Sequence, residues 1–393
     1  MKRVLLFRTE GICHGTLQVC NEKIAECMRN EGIQCDILEC RRPRNEVLCE
    51  LEKMLSGGYD AAIAFNQTDL SDIVLQSGEC IFDHYHVPFY NYIVDSPWGY
   101  TLYTETRCKN YHLICVDLDH VEQVKRYCPD IKSVHFLPLG GISSKEACIP
   151  FENRSIDLLY YAGHEKMTLK EMLEHFKGLP DPYPVLLLNM IDHMMAYREK
   201  NEEEALRNVL RDVFHVENID TGEFRKILVA TTEAGLFMRT FIREEVVRTL
   251  VKSRIRLHLF GEGWEQRVGS GSGCTVFREA FPYSELSGYL GRARIILNVF
   301  PWFKNGTNER IASGALHRTA VLTDHSKYTD TFPQGLLYQY SINNVSELPD
   351  QIESILSNPQ NTYQTIEKTY EYANRYMTWE STVKDLIELI GDR

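Results

Sequence analysis

Short apolar runs alternate with amphipathic segments over the first 140 residues of the chain. The apolar runs predict strands at residues 3–7, 33–38, 59–65, 89–94, 112–116 and 133–137. Helical patterns lie between them, and a short helix is predicted at 70–78. Strands that alternate with helices form a mostly parallel sheet that is covered on both faces and joined by right-handed crossovers.

A second series of the same kind follows. It predicts strands at residues 156–162, 256–260, 275–277, 295–300 and 319–323. A long helical stretch is predicted at 169–216, and another at 223–252 with an interruption near Gly235. Because 393 residues exceed the size at which a single core keeps growing, we predict two doubly wound domains, 1–150 and 151–375.

The composition and net charge limit the kinds of ligand and macromolecule that the chain is expected to bind. Apolar residues make up 44% of the chain and charged residues 25%, which is typical of a soluble globular protein. The net charge of −12 is evenly distributed, because residues 1–150 carry 15 Lys+Arg against 21 Asp+Glu. Neither half offers a basic surface for nucleic acid, so any anionic ligand must be bound by helix ends and single basic residues.

Eleven of the twelve cysteines precede residue 149, mostly inside apolar-periodic segments. The chain starts directly with a strand pattern, so we expect a cytoplasmic protein with reduced core cysteines. There is no C-x-x-C pair, and Cys13-His14 with Cys20 lacks zinc-ligand spacing, so we expect no metal site. No apolar run reaches the roughly 18 residues that cross a bilayer.

Three strand ends in the second half carry small or polar residues. They are Gly163-His164, Gly261-Glu-Gly263 and Asn305-Gly-Thr307. Glycine allows positive φ and close approach of a ligand, although a plain turn or an ordinary crossover uses the same residues. Because the carboxyl ends of parallel strands share one sheet edge, their coincidence favours a nucleotide-sized pocket.

The helix after the third loop adds a cation to this edge. Arg310 lies in its first turn, where the helix dipole disfavours a positive charge, and it shares a face with Ser313. Pairing of the guanidinium with a diphosphate explains this position, whereas a solvated or ion-paired arginine is the alternative. The predicted ligand-binding residues are Gly163, His164, Gly261, Glu262, Gly263, Asn305, Gly306, Thr307, Asn308, Arg310 and Ser313.

Two residues in the first half are candidates for acid–base chemistry. Asp95 follows an apolar strand and precedes Ser-Pro, where a sheet presents a side chain to a ligand. His14 lies in the first loop after a strand. The alternatives are that Asp95 opens a turn and that His14 is a solvated loop histidine.

Several motifs resemble those of the CgeB-like, spore maturation type of glycosyltransferase. They are Gly261-Glu-Gly-Trp264, Phe281-Pro-Tyr-Ser-Glu-Leu286, Ile296-Leu-Asn-Val-Phe-Pro301, Gly306-Thr-Asn-Glu-Arg310, Ala320-Val-Leu-Thr-Asp324 and Met377-Thr-Trp379. Upstream, Val94-Asp-Ser-Pro97, Phe136-Leu-Pro-Leu-Gly140 and the segment from Phe237 to Arg243 are similar to the same group. The resemblance covers most of the chain and is weakest over 165–230.

This resemblance implies a bacterial enzyme of the α/β GT-B architecture, with two Rossmann-like domains facing each other across a cleft. The C-terminal domain would bind a nucleotide-sugar donor, and the final helix, 376–393, would cross back to the acceptor-side N-terminal domain. Members usually need no cofactor or metal. The family places an acidic residue where this chain has Ser313, and a glycine where it has Arg318, which leaves donor choice and activity open.

The leading hypothesis is therefore transfer of a sugar from a nucleoside diphosphate sugar to a glycan, protein or small-molecule acceptor. Asp95 or His14 would take the proton of the acceptor hydroxyl. A catalytically silent GT-B assembly protein is the alternative, favoured by Ser313, and a two-domain sugar-phosphate isomerase is a third.

Overall fold

The computed structural model describes residues 2–8, 12–67, 70–99, 103–143 and 148–391. The chain divides into two compact units. The first unit comprises Met1–Gly140, Pro282–Ser284 and Tyr376–Arg393, and the second comprises Gly141–Phe281 and Glu285–Arg375. Each unit contains one six-stranded parallel sheet.

The first sheet has the order β2-β1-β3-β4-β5-β6. Its strands are β1 (Arg3–Arg8), β2 (Gln34–Glu39), β3 (Ala61–Phe65), β4 (Phe89–Ile93), β5 (Tyr111–Cys115) and β6 (Ser133–Phe136). The accompanying helices are α1 (Thr16–Asn30), α2 (Arg44–Leu55), α3 (Ile81–His84), α4 (Leu118–Tyr127) and, from the end of the chain, α15 (Trp379–Gly391). Every residue of β3, β4 and β5 is buried, as expected for strands covered on both faces.

The second sheet has the order β12-β11-β10-β7-β8-β9. Its strands are β7 (Ile156–Tyr161), β8 (Leu257–Phe260), β9 (Val276–Arg278), β10 (Ala293–Asn298), β11 (Ala320–Asp324) and β12 (Tyr338–Tyr340). The helices are α5 (Leu169–Lys177), α6 (Tyr183–Ala196), α7 (Glu202–Asp212), α8 (Thr221–Ala230), α9 (Thr232–Lys252), α10 (Trp264–Val268), α11 (Leu286–Leu290), α12 (Glu309–Leu316), α13 (Leu348–Ser357) and α14 (Pro359–Tyr376).

The predicted interruption near Gly235 is wrong. The break between α8 and α9 is at Thr231, where the hydroxyls of Thr231 and Thr232 donate to carbonyls of the preceding turn, at 2.8 Å to Ile227 and 2.6 Å to Val229. Gly235 lies inside continuous helix, and a Cβ there would meet Oε1 of Glu202 at 1.7 Å. The Glu202 side chain of α7 therefore lies directly against Gly235, and a larger residue there would require that side chain to move.

Other helical expectations need correction as well. The stretch predicted at 169–216 is three helices, of which α5 and α7 begin with reciprocal capping boxes at Thr168 and Asn201. The short helix predicted at 70–78 is reduced to one turn, Leu70–Asp72. The edge strand β12 was not predicted, because Tyr338-Gln-Tyr340 is too short to show a period.

Candidate functional site

The second sheet reverses its winding direction between β7 and β10. From β7 the chain adds β8 and β9 on one side, whereas β10, β11 and β12 lie on the other. The crevice outside the carboxyl ends of two such strands is where doubly wound sheets bind ligands. The residues that follow β7 and β10 are therefore the first to consider.

Arg310 lies at this reversal point, because α12 begins directly after the β10 loop. Asn308 caps the helix by accepting the Arg310 backbone N–H at 3.2 Å. The Arg310 guanidinium donates from Nη1 to Asn298 Oδ1 at 2.9 Å and from Nη2 to the Tyr161 carbonyl at 3.1 Å. It also lies 4.5 Å from the centroid of the Tyr161 ring. The cation is thus fixed at the ends of both central strands.

A second arginine, Arg243, projects to the same edge from the middle of α9. Its Nη1 donates to the carbonyl of Gly163, two residues beyond β7, at 2.9 Å. Burial, together with the positive charges of Arg239 and Arg310, lowers the pKa of Arg243 to about 9. The lowered pKa therefore reflects burial first, and the nearby positive charges contribute to it.

The hydrogen bonds of these two guanidinium groups go to neutral acceptors. Among the residues that the structure describes, neither Arg243 nor Arg310 forms an ion pair with a carboxylate, whereas neighbouring Arg239 contacts Glu165 at 3.4 Å. The Nε atoms of Arg243 and Arg310 are shielded from solvent and have no hydrogen-bond partner among the described groups. N–H groups that are shielded from solvent normally have acceptors, so this edge is suited to an anion.

The two glycine loops lie beside these arginines. Gly261 has φ 144° and Gly263 has φ 72°, and a Cβ on Gly261 would come within 2.4 Å of the Ala162 carbonyl oxygen. Trp264 Nε1 donates to that same carbonyl at 2.7 Å, and the His164 ring packs edge-on against Trp264 at 4.9 Å between centroids. The ends of β7 and β8 are thereby held together, with Gly163 and Glu262 exposed.

Ser326 holds the third loop, Asn305-Gly-Thr307, in place through hydrogen bonds. Gly306 N–H donates to Ser326 Oγ at 3.0 Å, and Ser326 Oγ donates back to the Gly306 carbonyl at 2.7 Å. Gly306 and Thr307 are buried, whereas Asn305 and Asn308 are half-buried. Asn308 also donates to Asn298 Oδ1 at 2.8 Å, which links the loop to the Arg310 contact.

Ser313 differs from the other predicted ligand residues. Its side chain is fully buried, and its hydroxyl accepts the backbone N–H of Ile142 at 3.1 Å. A Cβ on Gly141 would lie 2.6 Å from the Ser313 nitrogen, so α12 packs directly on the 141–142 backbone. Contact of Ser313 with a ligand stays a prediction, and its described contacts are those of packing.

A carboxylate also lies at this edge, at the end of β11. Asp324 is 1% exposed and accepts the Phe300 backbone N–H at 2.7 Å. Burial raises the pKa of Asp324 to about 7, although the charge of Lys304 acts in the opposite direction. At pH values below this pKa, Asp324 is mostly neutral and does not cancel the positive charge of the arginines.

The predicted acid–base residues belong to the first unit, whose sheet reverses between β1 and β3. Asp95 follows β4, is half-buried, and accepts a hydrogen bond from Asn66 Nδ2 at 2.8 Å through Oδ2. Asn66 follows β3 at φ 47° and accepts the Val94 backbone N–H at 2.9 Å. His14 follows β1, is exposed, and has φ 55°. All three lie at the carboxyl edge of their sheet.

Arg243, Asn298 and Asn66 are site residues that sequence reasoning did not select. Arg243 lies in the middle of a helix, 80 residues away from its partner Gly163, and the family-like segment from Phe237 to Arg243 was the available signal for it. The polar Asn298 at the end of an apolar strand was the available signal for its position.

Comparison with known families assigns part of the chain. Residues 239–388 match the family model described as "Glycosyl transferase-like". Residues 239–388 are glycosyl transferase-like in sequence. This segment begins at Arg239 and includes both Arg243 and Arg310. No curated protein matches the chain in sequence.

Solved glycosyltransferase structures share the fold. HepE from Anabaena, solved with UDP and glucose, covers 100% of both chains at a TM-score of 0.54 and 8% identity. The match to an alpha-glucosyltransferase solved with UDP covers 100% of both chains, with a TM-score of 0.56 and 8% sequence identity. The match to sucrose-phosphate synthase from Thermosynechococcus elongatus covers 99% of this chain and 98% of the synthase chain, with a TM-score of 0.51 and 10% sequence identity.

These likenesses confirm the predicted GT-B fold class, with its two Rossmann-like parallel sheets. They show the fold alone at these identities. Within the described part of the chain, every helix is too short or too polar to traverse a bilayer.

Proposed function

We propose that this chain is a glycosyltransferase that moves a sugar from a nucleoside diphosphate sugar to an acceptor hydroxyl. The observation that carries the proposal is the pair of guanidinium groups, Arg243 and Arg310, at the reversal point of the second sheet. The glycosyl transferase-like segment and the GT-B fold support it.

The chemistry of glycosyl transfer explains why two cations are useful here. Cleavage of the bond to the anomeric carbon leaves a nucleoside diphosphate whose negative charge must be stabilised. Guanidinium groups pair with phosphate oxygens in bidentate fashion, and cations held in place before the reaction need no reorganisation. We assign this role to Arg243 and Arg310, and propose that catalysis needs no resident metal.

The proton of the acceptor hydroxyl goes to Asp95 in this proposal, with His14 as the second candidate. The Asn66 amide holds one carboxylate oxygen of Asp95 at 2.8 Å, which fixes its orientation. A general base must lie within hydrogen-bond reach of the proton that it removes.

Finer assignments are part of the same proposal. We infer that the chain is a cytoplasmic, hexose-transferring enzyme of the CgeB-like type, and the motifs of the second unit are the basis for the CgeB-like assignment. UDP-glucose is the first donor to test, because solved structures of HepE contain UDP and UDP-glucose.

Ligand-dependent stability tests the proposal. A panel of nucleoside diphosphates and their sugars should contain one that raises the melting temperature, because a ligand at 100 times its Kd stabilises by about 2.7 kcal/mol. The same donor should release its nucleoside diphosphate when a panel of glycans and hydroxylated small molecules is added. Absence of any shift across the panel would remove the transferase proposal.

A second candidate function is a catalytically silent GT-B binding protein. The buried Ser313, which bonds Ile142 in place of presenting an acidic group, is the observation that favours it. This candidate predicts nucleotide-dependent stabilisation without release of nucleoside diphosphate from any donor.

A further inference from the structure

Two cysteines and an aspartate converge in the first unit, away from the residues discussed so far. The Sγ atoms of Cys80 and Cys108 and a carboxylate oxygen of Asp83 all lie within 4.8 Å of one another. Cys80 directly precedes α3, Asp83 lies on α3, and Cys108 lies in the connection that leads into β5. These positions are at the amino edge of the sheet, opposite to Asp95.

The thiols are well shielded from solvent. Cys80 is 2% exposed and Cys108 is 4% exposed, whereas Asp83 is half-buried and offers a route of entry. Cys80 Sγ lies 3.5 Å from the Ser71 carbonyl oxygen. The two sulfur atoms are therefore shielded from solvent, and the Asp83 carboxylate lies at the more exposed side of the cluster.

The Asp83 carboxylate is held in a fixed orientation. It accepts the backbone N–H groups of Lys109 at 2.8 Å and Asn110 at 2.9 Å, which flank Cys108 on its C-terminal side. Cys108 Sγ lies 3.6 Å from Asp83 Oδ1. Backbone donors on a ligating carboxylate are the outer contacts that orient metal ligands in proteins.

The distance between Cys108 Sγ and Asp83 Oδ1 suits a tetrahedral cation. With Zn–S near 2.3 Å and Zn–O near 2.1 Å, tetrahedral geometry separates the sulfur and oxygen ligands by about 3.6 Å. The Cys108–Asp83 distance of 3.6 Å has this value. Thiolate ligands select zinc and similar thiophilic ions over magnesium or calcium.

We propose that Cys80, Cys108 and Asp83 bind one thiophilic divalent cation of the zinc class, with water in the fourth position. Binding converts two thiols to thiolates and releases two protons, one from each cysteine, and no electron is transferred. The bound ion would connect α3 to the connection before β5 and stabilise this edge of the sheet. The site is independent of the proposed transferase activity.

Titration of the reduced full-length protein with Co²⁺ tests this site. Binding predicts a thiolate-to-metal charge-transfer band that saturates at one equivalent, is displaced by Zn²⁺, and accompanies release of two protons in weak buffer. Cys80→Ser and Cys108→Ser should abolish the band, and Asp83→Asn should weaken binding at least about tenfold. Cys35→Ser is the matched control, because Cys35 is 5% exposed and lies in β2.

The outcomes separate the alternatives. The proposal would be overturned if the wild-type protein, with its thiols shown to be reduced by thiol counting, gave no charge-transfer band. It would also be overturned if the band survived in the Cys80→Ser, Cys108→Ser double variant. Recovery of the two residues as a disulfide, with no metal uptake after reduction, would identify a redox pair in place of a metal site. If the serine variants do not fold, the stoichiometry and proton release of the wild type and of Asp83→Asn decide the question.

Discussion

The carboxyl edges of the two sheets treat their arginines differently. At the end of β1 in the first unit, Arg8 contacts the carboxylates of Glu39 at 2.5 Å and Glu22 at 3.3 Å. In the second unit, Arg243 and Arg310 donate to backbone carbonyls and to the amide oxygen of Asn298. One edge therefore neutralises its cation, whereas the other leaves its cations available.

The difference assigns different chemistry to two sheets of similar architecture. A neutralised edge that carries Asp95 and Asn66 is suited to accepting a proton. An edge whose guanidinium groups contact no carboxylate among the described residues is suited to a diphosphate. The fold is shared by many functions, so this distribution of charge, and not the architecture, carries the functional proposal.

The largest expected effect is on the proton-accepting edge. Asp95→Asn keeps the bond to Asn66 geometrically possible but removes the base, so kcat should fall about 10²- to 10⁴-fold with donor affinity unchanged. The measurement is steady-state transfer to an acceptor found by panel screening. Asp72→Asn is the control, because Asp72 accepts one backbone N–H, from Arg107, at 2.9 Å. An unchanged kcat in Asp95→Asn would remove the first unit's edge from the chemistry.

Arg310→Ala tests the cationic edge. Loss of one charge-stabilising donor should lower kcat/KM about 10²- to 10³-fold, measured as donor turnover. Arg318→Ala is a matched control from the other end of α12, where Arg318 contacts Glu367 at 2.9 Å and lies 3.5 Å from the Tyr370 ring centroid. Equal losses in both variants would mean that the effect is structural and would break the comparison.

The pH dependence of stability sharpens the same comparison through Asp324. Burial raises its pKa from 3.8 to about 7, so between these pH values the folded state holds more protons than the unfolded state. The free energy of unfolding should therefore fall as pH rises from about 4 to about 7, by up to about 4 kcal/mol. Asp324→Asn should flatten this part of the urea-denaturation profile.

The control for that experiment is Asp330→Asn, because Asp330 is half-exposed. It should leave the pH profile of the wild type unchanged. An Asp324→Asn profile that runs parallel to the wild type over this range would show that Asp324 is ionised in the folded protein, and the edge would then carry less positive charge than we infer.

A smaller effect is expected from Arg243→Lys. Lysine keeps the charge but loses the planar fork, so affinity for a nucleoside diphosphate should fall about tenfold, and further in Arg243→Ala. Calorimetric titration measures both. If Arg243→Ala binds like the wild type, Arg310 acts alone and the paired-cation description fails.

The strands could be predicted from the sequence because both faces of each sheet are covered. Runs such as Ala61–Phe65 are continuously apolar and signal a buried parallel strand without any long-range information. The loop before Arg310 was predictable for the same reason, since it directly follows such a run. Tyr338–Tyr340 gave no comparable signal because an edge strand of three residues needs its neighbour β11 to form.

Much of the candidate site depends on contacts between distant segments. The contact of Arg243 with Gly163 joins residues 80 positions apart, and the burial of Ser313 depends on Ile142, which packs on α12. Cys80 and Cys108 lie 28 residues apart, so their convergence with Asp83 follows from the fold and has no spacing motif. A local sequence pattern relates only residues that are close along the chain, whereas these contacts join residues that are far apart in sequence.

The central claim is tested most directly by calorimetric titration of the protein with a nucleoside diphosphate and, separately, with the matching nucleoside. UDP and uridine are the first pair, followed by whichever diphosphate stabilises the protein most. We predict that the diphosphate binds at least about 100-fold more tightly, and that Arg243→Ala combined with Arg310→Ala abolishes the difference. Equal affinity for the two ligands, or an undiminished preference in the double variant, would contradict the assignment of this edge to a diphosphate.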